Sequence, residues 1–141
     1  MTKKIIYSLA ILFSIVFLVP SCKKDVDKKA EQDLAASVAG QYEMSYFEAK
    51  GQPINLPAGS LSGKINIANK DNNVIDMFIS TTDTENSNNS GSETLKDIQL
   101  KKENSAIDMY YQTTKIGTIN GSDLTINIQD GTDQVVIKAK K

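Results

Sequence analysis

From Gly40 to the C-terminus, short runs of alternating apolar and polar residues are separated by clusters rich in Gly, Asn and Asp. Successive side chains of a strand point to opposite faces, so a period of two gives one dry face and one wet face. The chain can satisfy this pattern only as antiparallel strands joined by tight turns. Residues 41–49 place Tyr42, Met44 and Tyr46 on one face, and residues 61–68 place Leu61, Ile65 and Ile67 there. Residues 74–81 offer Ile75, Met77 and Ile79, residues 94–101 offer Ile98 and Leu100, and residues 105–112 offer Ile107, Met109 and Tyr111. A short run, 115–119, contains Gly117; residues 123–129 then offer Leu124, Ile126 and Ile128, and residues 132–140 offer Val135, Ile137 and Ala139.

Asn120-Gly121 and Asp130-Gly131 are strong hairpin dipeptides, because both residue types accept positive φ. Residues 70–73 and 102–104 are turn clusters, and residues 81–93 read as one long Asn/Ser/Thr-rich loop. The junction Thr113-Thr114 has no Gly, Pro, Asn or Asp; without a turn there, eight strands become seven. The fold class predicted is all-β: an eight-stranded antiparallel up-and-down barrel after a short N-terminal helix, since closure removes the exposed edges of a meander. A β-sandwich of the same strands is the alternative. The Gly40-Gln41-Tyr42 start of the first strand and the segment Gly117-Thr118-Ile119-Asn120-Gly121-Ser122-Asp123-Leu124-Thr125 resemble small bacterial lipocalin-like lipoproteins. Tyr42 stands where that group usually has Trp, and the Arg that packs on the Trp has no counterpart.

Composition restricts the chemistry. All 16 basic residues are Lys, and the chain has no His, no Trp and one Cys. Without His there is no Ser-His-Asp or Cys-His nucleophile system. One Cys makes neither an intramolecular disulfide nor a Cys/His zinc site. Residues 40–141 carry 10 Lys against 13 acids, so a basic face for nucleic acid is not expected. Asp76 and Asp108 lie inside strand runs and read as outward carboxylates paired with Lys, rather than as a general acid–base pair or a cation grip. Residues 83–89 superficially resemble a calcium loop, but Asn88 and Thr94 replace the required Gly and Glu. No catalytic residue, metal or cofactor is expected, and the chain reads as a non-enzyme. Tyr46, Met77, Met109 and Tyr111 are the candidate ligand-lining residues, because Tyr offers ring area with a hydroxyl handle and Met adapts to irregular shapes. The plainer reading makes them core.

The N-terminus supplies an address. Lys3 and Lys4 precede an apolar run, 5–19, that as a helix would span roughly 22 Å, short of the ~30 Å bilayer core. A charged start, a short apolar middle and a small residue at the end make a secretory signal peptide; a transmembrane anchor is the alternative. Leu18-Val19-Pro20-Ser21-Cys22 resembles the lipobox of bacterial lipoproteins, with Val19 and Ser21 at the places that define cleavage. The resemblance implies cleavage between Ser21 and Cys22 and acyl chains on Cys22. Two or three chains make a stable membrane anchor, since each buried CH₂ contributes ~0.8 kcal/mol. A secreted protein with a free thiol is the alternative. Lys23-Lys24-Asp25-Val26-Asp27 has no Asp directly after the cysteine, which by the same resemblance directs the protein to the outer membrane of a Gram-negative cell. The Lys-then-acid order is similar to surface-export tags of Bacteroidota-type lipoproteins. The expected organisation is a signal peptide, 1–21; a lipidated Cys with a charged tether, 22–39; and a lipocalin-like barrel, 40–141. Within the tether, residues 30–39 read as a short helix docked on the domain, with Gly40 as its C-cap. The expected role is a barrel that binds a small apolar ligand or an envelope protein partner, or a filled accessory subunit of an envelope complex.

Overall fold

The computed structural model describes residues 32–141. The expected signal peptide, the Ser21–Cys22 cleavage site and the first part of the tether lie outside the described residues. Within them, helix α1 (Leu34–Val38) precedes nine strands: β1 (Gly40–Ala49), β2 (Gln52–Asn55), β3 (Leu61–Asp71), β4 (Val74–Asp83), β5 (Gly91–Glu103), β6 (Ala106–Tyr111), β7 (Thr114–Asn120), β8 (Asp123–Asp130) and β9 (Asp133–Lys140). Neighbours from β3 to β9 pair antiparallel in chain order. Strand β1 closes the ring, pairing with β3 on one side and β9 on the other. The architecture is a closed eight-stranded up-and-down barrel, and this closure excludes the sandwich.

Strand β2 is outside the expected set, because it has Pro53 and a single large apolar residue, Ile54. It forms because Lys50 and Gly51 both have positive φ, 53° and 70°, giving the two-residue turn whose twist matches a hairpin. The β1–β3 ladder ends at Glu43↔Lys64, and β2 pairs with the part of β1 that β3 leaves, from Tyr46↔Asn55 to Ala49↔Gln52.

The turns depart from the expectation in register. Asn120 and Asp130 are the last paired residues of their strands, opposite Asp123 and Asp133. The loops are Gly121-Ser122 and Gly131-Thr132, with positive φ at the first residue only. Asn104 and Gln112 take that position in the loops after β5 and β6, with φ of 55° each. Gln112-Thr113 therefore separates β6 from β7, and eight barrel strands result. The long loop expected at 81–93 is shorter, since β4 runs to Asp83 and β5 starts at Gly91.

Helix α1 closes one end of the barrel. Asp33 caps it by accepting a hydrogen bond from Ala36 N–H at 2.8 Å. Leu34, Ala35 and Val38 are buried in the barrel core. Ala35 N–H donates to Asn72 O at 3.0 Å, and the Tyr42 hydroxyl donates to Val38 O at 2.9 Å. Ala39, not Gly40, is the C-cap, and Gly40 already belongs to β1. Above the helix, Tyr42, Ile65, Ile75, Met77, Ile98, Met109, Leu124 and Ile126 fill the interior, each under 2% exposed.

Bulges break the alternation at three places that shape the other end. In β1 the register shifts between Met44 and Tyr46. In the β4–β5 pair, Ile75 faces Ile98 but Met77 faces Leu95. In the β6–β7 pair, Met109 faces Gly117 but Tyr110 faces Lys115, leaving Ile116 as the extra residue. An extra residue turns the following side chains to the opposite face.

Gly117 sits where β7 presses against β8. A Cβ there would collide with the Thr125 carbonyl oxygen, lie 2.7 Å from Met109 Cε and lie 3.1 Å from Ile126 Cα. Two of these neighbours are backbone and cannot swing away. Gly117→Ala should therefore destabilise the barrel by about 2 kcal/mol. Denaturant unfolding measures this, and a loss within about 0.5 kcal/mol of zero, the usual range for a surface change, would contradict such close contact.

Candidate functional site

The strand ends opposite α1 form a mouth that the core does not fill. Phe47 from β1, Ile79 from β4, Leu95 from β5, Ile116 from β7, Ile128 from β8 and Val135 from β9 line a cavity of about 490 Å³. Ile137 also contributes, and Glu93, Tyr111 and Gln129 supply its polar groups. The bulges explain this lining. The shift in β1 aligns Phe47 with inward Ile137, and the shift in the β4–β5 pair turns Leu95 inward beside Ile98.

Among the described residues, a cleft and a groove adjoin the mouth. A cleft of about 400 Å³ shares Phe47 and is lined by Ile54, Leu56, Leu61, Thr81 and Asn89, where β1 and β3 part around β2. A larger groove of about 670 Å³ lies along β7 and β8 and shares Tyr111, Ile116, Ile128 and Gln129 with the mouth. Its origin is in the ladder: β7 and β8 pair from Gly117↔Ile126 to Asn120↔Asp123, and the start of β7, Thr114 to Ile116, stays with β6 instead.

Of the four candidate ligand residues, Tyr111 alone lines the cavity, and it is 39% exposed at the rim. Met77 and Met109 have no exposed surface and belong to the packed half, which is the plainer reading. Tyr46 is turned outward by the β1 bulge; it faces Lys138 across the ladder, whose ammonium lies 5.2 Å from its ring centre. Phe47 takes the inward place expected of Tyr46. Cys22 and Ser21 lie outside the described residues.

Phe47, Leu95 and Ile116 were the residues that strict alternation missed. One signal was present: apolar residues spaced by three rather than two at Met44/Phe47, Leu95/Ile98 and Ile116/Ile119. In a strand, such a spacing marks an inserted residue.

The carboxylates are engaged in structure. Asp108 is only 6% exposed, although its neighbours in sequence point inward. It accepts from the Lys115 ammonium at 2.5 Å and from the Thr118 hydroxyl at 3.0 Å. The adjacent ammonium holds its carboxyl below the ordinary range, and the carboxylate in turn raises Lys115. Asp76 accepts from Asp97 N–H at 2.9 Å and lies 4.0 Å from Lys70, bracing the bulged backbone where Asp97 has φ 61°. Asp83 receives the Ser60 hydroxyl, the Asn89 amide and the Glu85 and Asn86 N–H groups, which hold its carboxyl far below the ordinary range. It organises the β4–β5 connection. Among the described residues no three His, Cys, Asp or Glu side chains converge as metal ligands.

An apolar cavity with a few polar groups at the rim suits non-covalent capture of a small molecule, and about 490 Å³ falls within the ordinary range for such sites. No family model, curated protein or solved structure matches the chain.

Lys115 lines the groove, and the loss of its pairing with Asp108 has a defined pH signature. A depressed carboxyl contributes stability above its unfolded pKa of about 3.9, and that contribution is lost as pH falls through the folded value. Asp108→Asn should cost about 1 kcal/mol at neutral pH, a modest amount because Lys115 is half exposed. The gap between wild type and variant should be flat above about pH 5 and narrow below about pH 4. Urea melts across that range test this; a gap that widens with acid would show that the pair does not hold Asp108 ionised.

Proposed function

We propose that this chain is an exported lipoprotein, anchored to the outer membrane through acyl chains on Cys22, whose barrel binds a small apolar or amphipathic ligand without catalysis. One observation carries the binding reading: the barrel is plugged by α1 at one end and presents an unfilled apolar cavity of about 490 Å³ at the other. A barrel serving only as a scaffold gains stability by filling its interior, because each buried methylene adds about 0.8 kcal/mol. The cavity walls are aliphatic and aromatic, so the energy of binding would come from burying ligand hydrocarbon. The anchoring reading rests on the lipobox-like Leu18-Val19-Pro20-Ser21-Cys22 and the charged start before the apolar run. The filled lower half, with Met77 and Met109 fully buried, is what the accessory-subunit reading would extend to the whole interior.

A neutral apolar fluorophore, N-phenylnaphthylamine, should bind one per chain. Saturation at 100 times its dissociation constant should stabilise the fold by about 2.7 kcal/mol. Ile128→Lys, which places a charge in the mouth, should abolish binding while unfolding stays cooperative; equal binding by wild type and variant would place the ligand elsewhere. Anchoring has its own test. Cys22→Ala should leave the protein unprocessed or released from the membrane fraction, and normal processing with membrane retention would overturn the lipobox reading.

A further inference from the structure

The groove outside the mouth differs from the mouth in chemistry. Amides and hydroxyls make up a larger share of its walls than of the mouth's: Gln112, Thr125, Asn127 and Gln134 line it, beside Ile116, Ile128 and the exposed ring of Tyr111. It offers little net charge. Among the described residues, the one ammonium in its wall, Lys115, is held by Asp108 at 2.5 Å. Among the described residues, an anionic head group would find no unpaired cation there, and a cationic one would find no carboxylate in the groove itself. On the outer face of β8 and β9, Gln134 Nε2 donates to Asn127 Oδ1 at 2.7 Å. That bond leaves the Asn127 amide N–H pair as donor and the Gln134 carbonyl as acceptor. Adjacent hydroxyls, each able to donate and accept, match such a pair. The Tyr111 ring supplies an apolar platform with a polar tip at the rim. Because Tyr111, Ile116, Ile128 and Gln129 belong to both depressions, one ligand can occupy them together.

We infer that the β7–β8 groove receives the uncharged, hydroxyl-rich head of a glycoside whose apolar part enters the barrel mouth. This rests on the mouth being a ligand cavity. The opening between β7 and β8 lets the head leave the barrel sideways instead of being buried with its hydroxyls unpaired.

The test uses the full-length chain and four probes of one chain length, below their micelle concentrations: octyl glucoside, octanol, octanoate and octylammonium. Calorimetry should give octyl glucoside about tenfold tighter binding than the other three. The double variant Asn127→Ala, Gln134→Ala should lose that advantage and leave octanol binding unchanged. Ile128→Lys should remove binding of octyl glucoside, octanol and octylammonium. Equal affinities across the four heads, or a glucoside advantage that survives the double variant, would overturn the groove assignment and leave the mouth reading intact. No binding by any probe would overturn both. Phenyl glucoside identifies the source of the apolar part: octyl preferred over phenyl assigns a glycolipid, and the reverse a compact glycoside, each supporting the shared head chemistry.

Discussion

The structure depends on β1 being paired along both edges. Its first residues bond to β3 while its length from Glu43 to Ala49 bonds to β9. Remove that strand and the remaining seven form an open sheet with two exposed edges, a state prone to pairing with other chains. Closure also makes the inward faces meet. Residues far apart in sequence, such as Tyr42, Ile75 and Ile126, come to share one fully buried core. The helix adds to this closure, because its buried face of Leu34, Ala35 and Val38 has a place only once the ring exists.

An eight-stranded barrel is just wide enough for its own side chains to fill or to hold one small ligand. Here the bulges divide it. Below them, Ile, Leu and Met side chains form the buried core. Above them, Phe47 and Leu95 turn inward, β3 gives way to β2 alongside β1, and β7 parts from β8 beyond Gly117. Each departure costs ladder hydrogen bonds at the rim, where water can replace them. The result is a rigid, plugged base carrying an open apolar mouth, with a polar groove beside it.

The strands themselves were legible. Every expected run forms a strand, because the period-two pattern is read locally and closure only reinforces it. The helix was legible for a similar reason, since Leu34 and Val38 are four apart; its caps were not, because Asp33 holds the first turn and Ala39, not Gly40, ends it. Strand β2 was not legible, since four residues with one large apolar side chain and a proline carry no pattern; the Lys50-Gly51 turn and the space beside β1 create it. The site was read in part. Tyr111 was found by alternation, whereas Tyr46 was misplaced and Phe47 missed by the same rule, because a single inserted residue reverses the faces that follow it.

By itself, the sequence determined that this chain folds as antiparallel strands, that it lacks histidine and paired-cysteine chemistry, and which residues of most strands face inward. These are local properties: alternation, turn chemistry and composition act over a few residues at a time. Only the tertiary structure decided which way Phe47 and Leu95 point, that β2 exists, and that β7 and β8 separate to join a polar groove to an apolar mouth. Those outcomes depend on register between strands. Register is set by how all eight close on one another, and no short stretch of sequence contains that information.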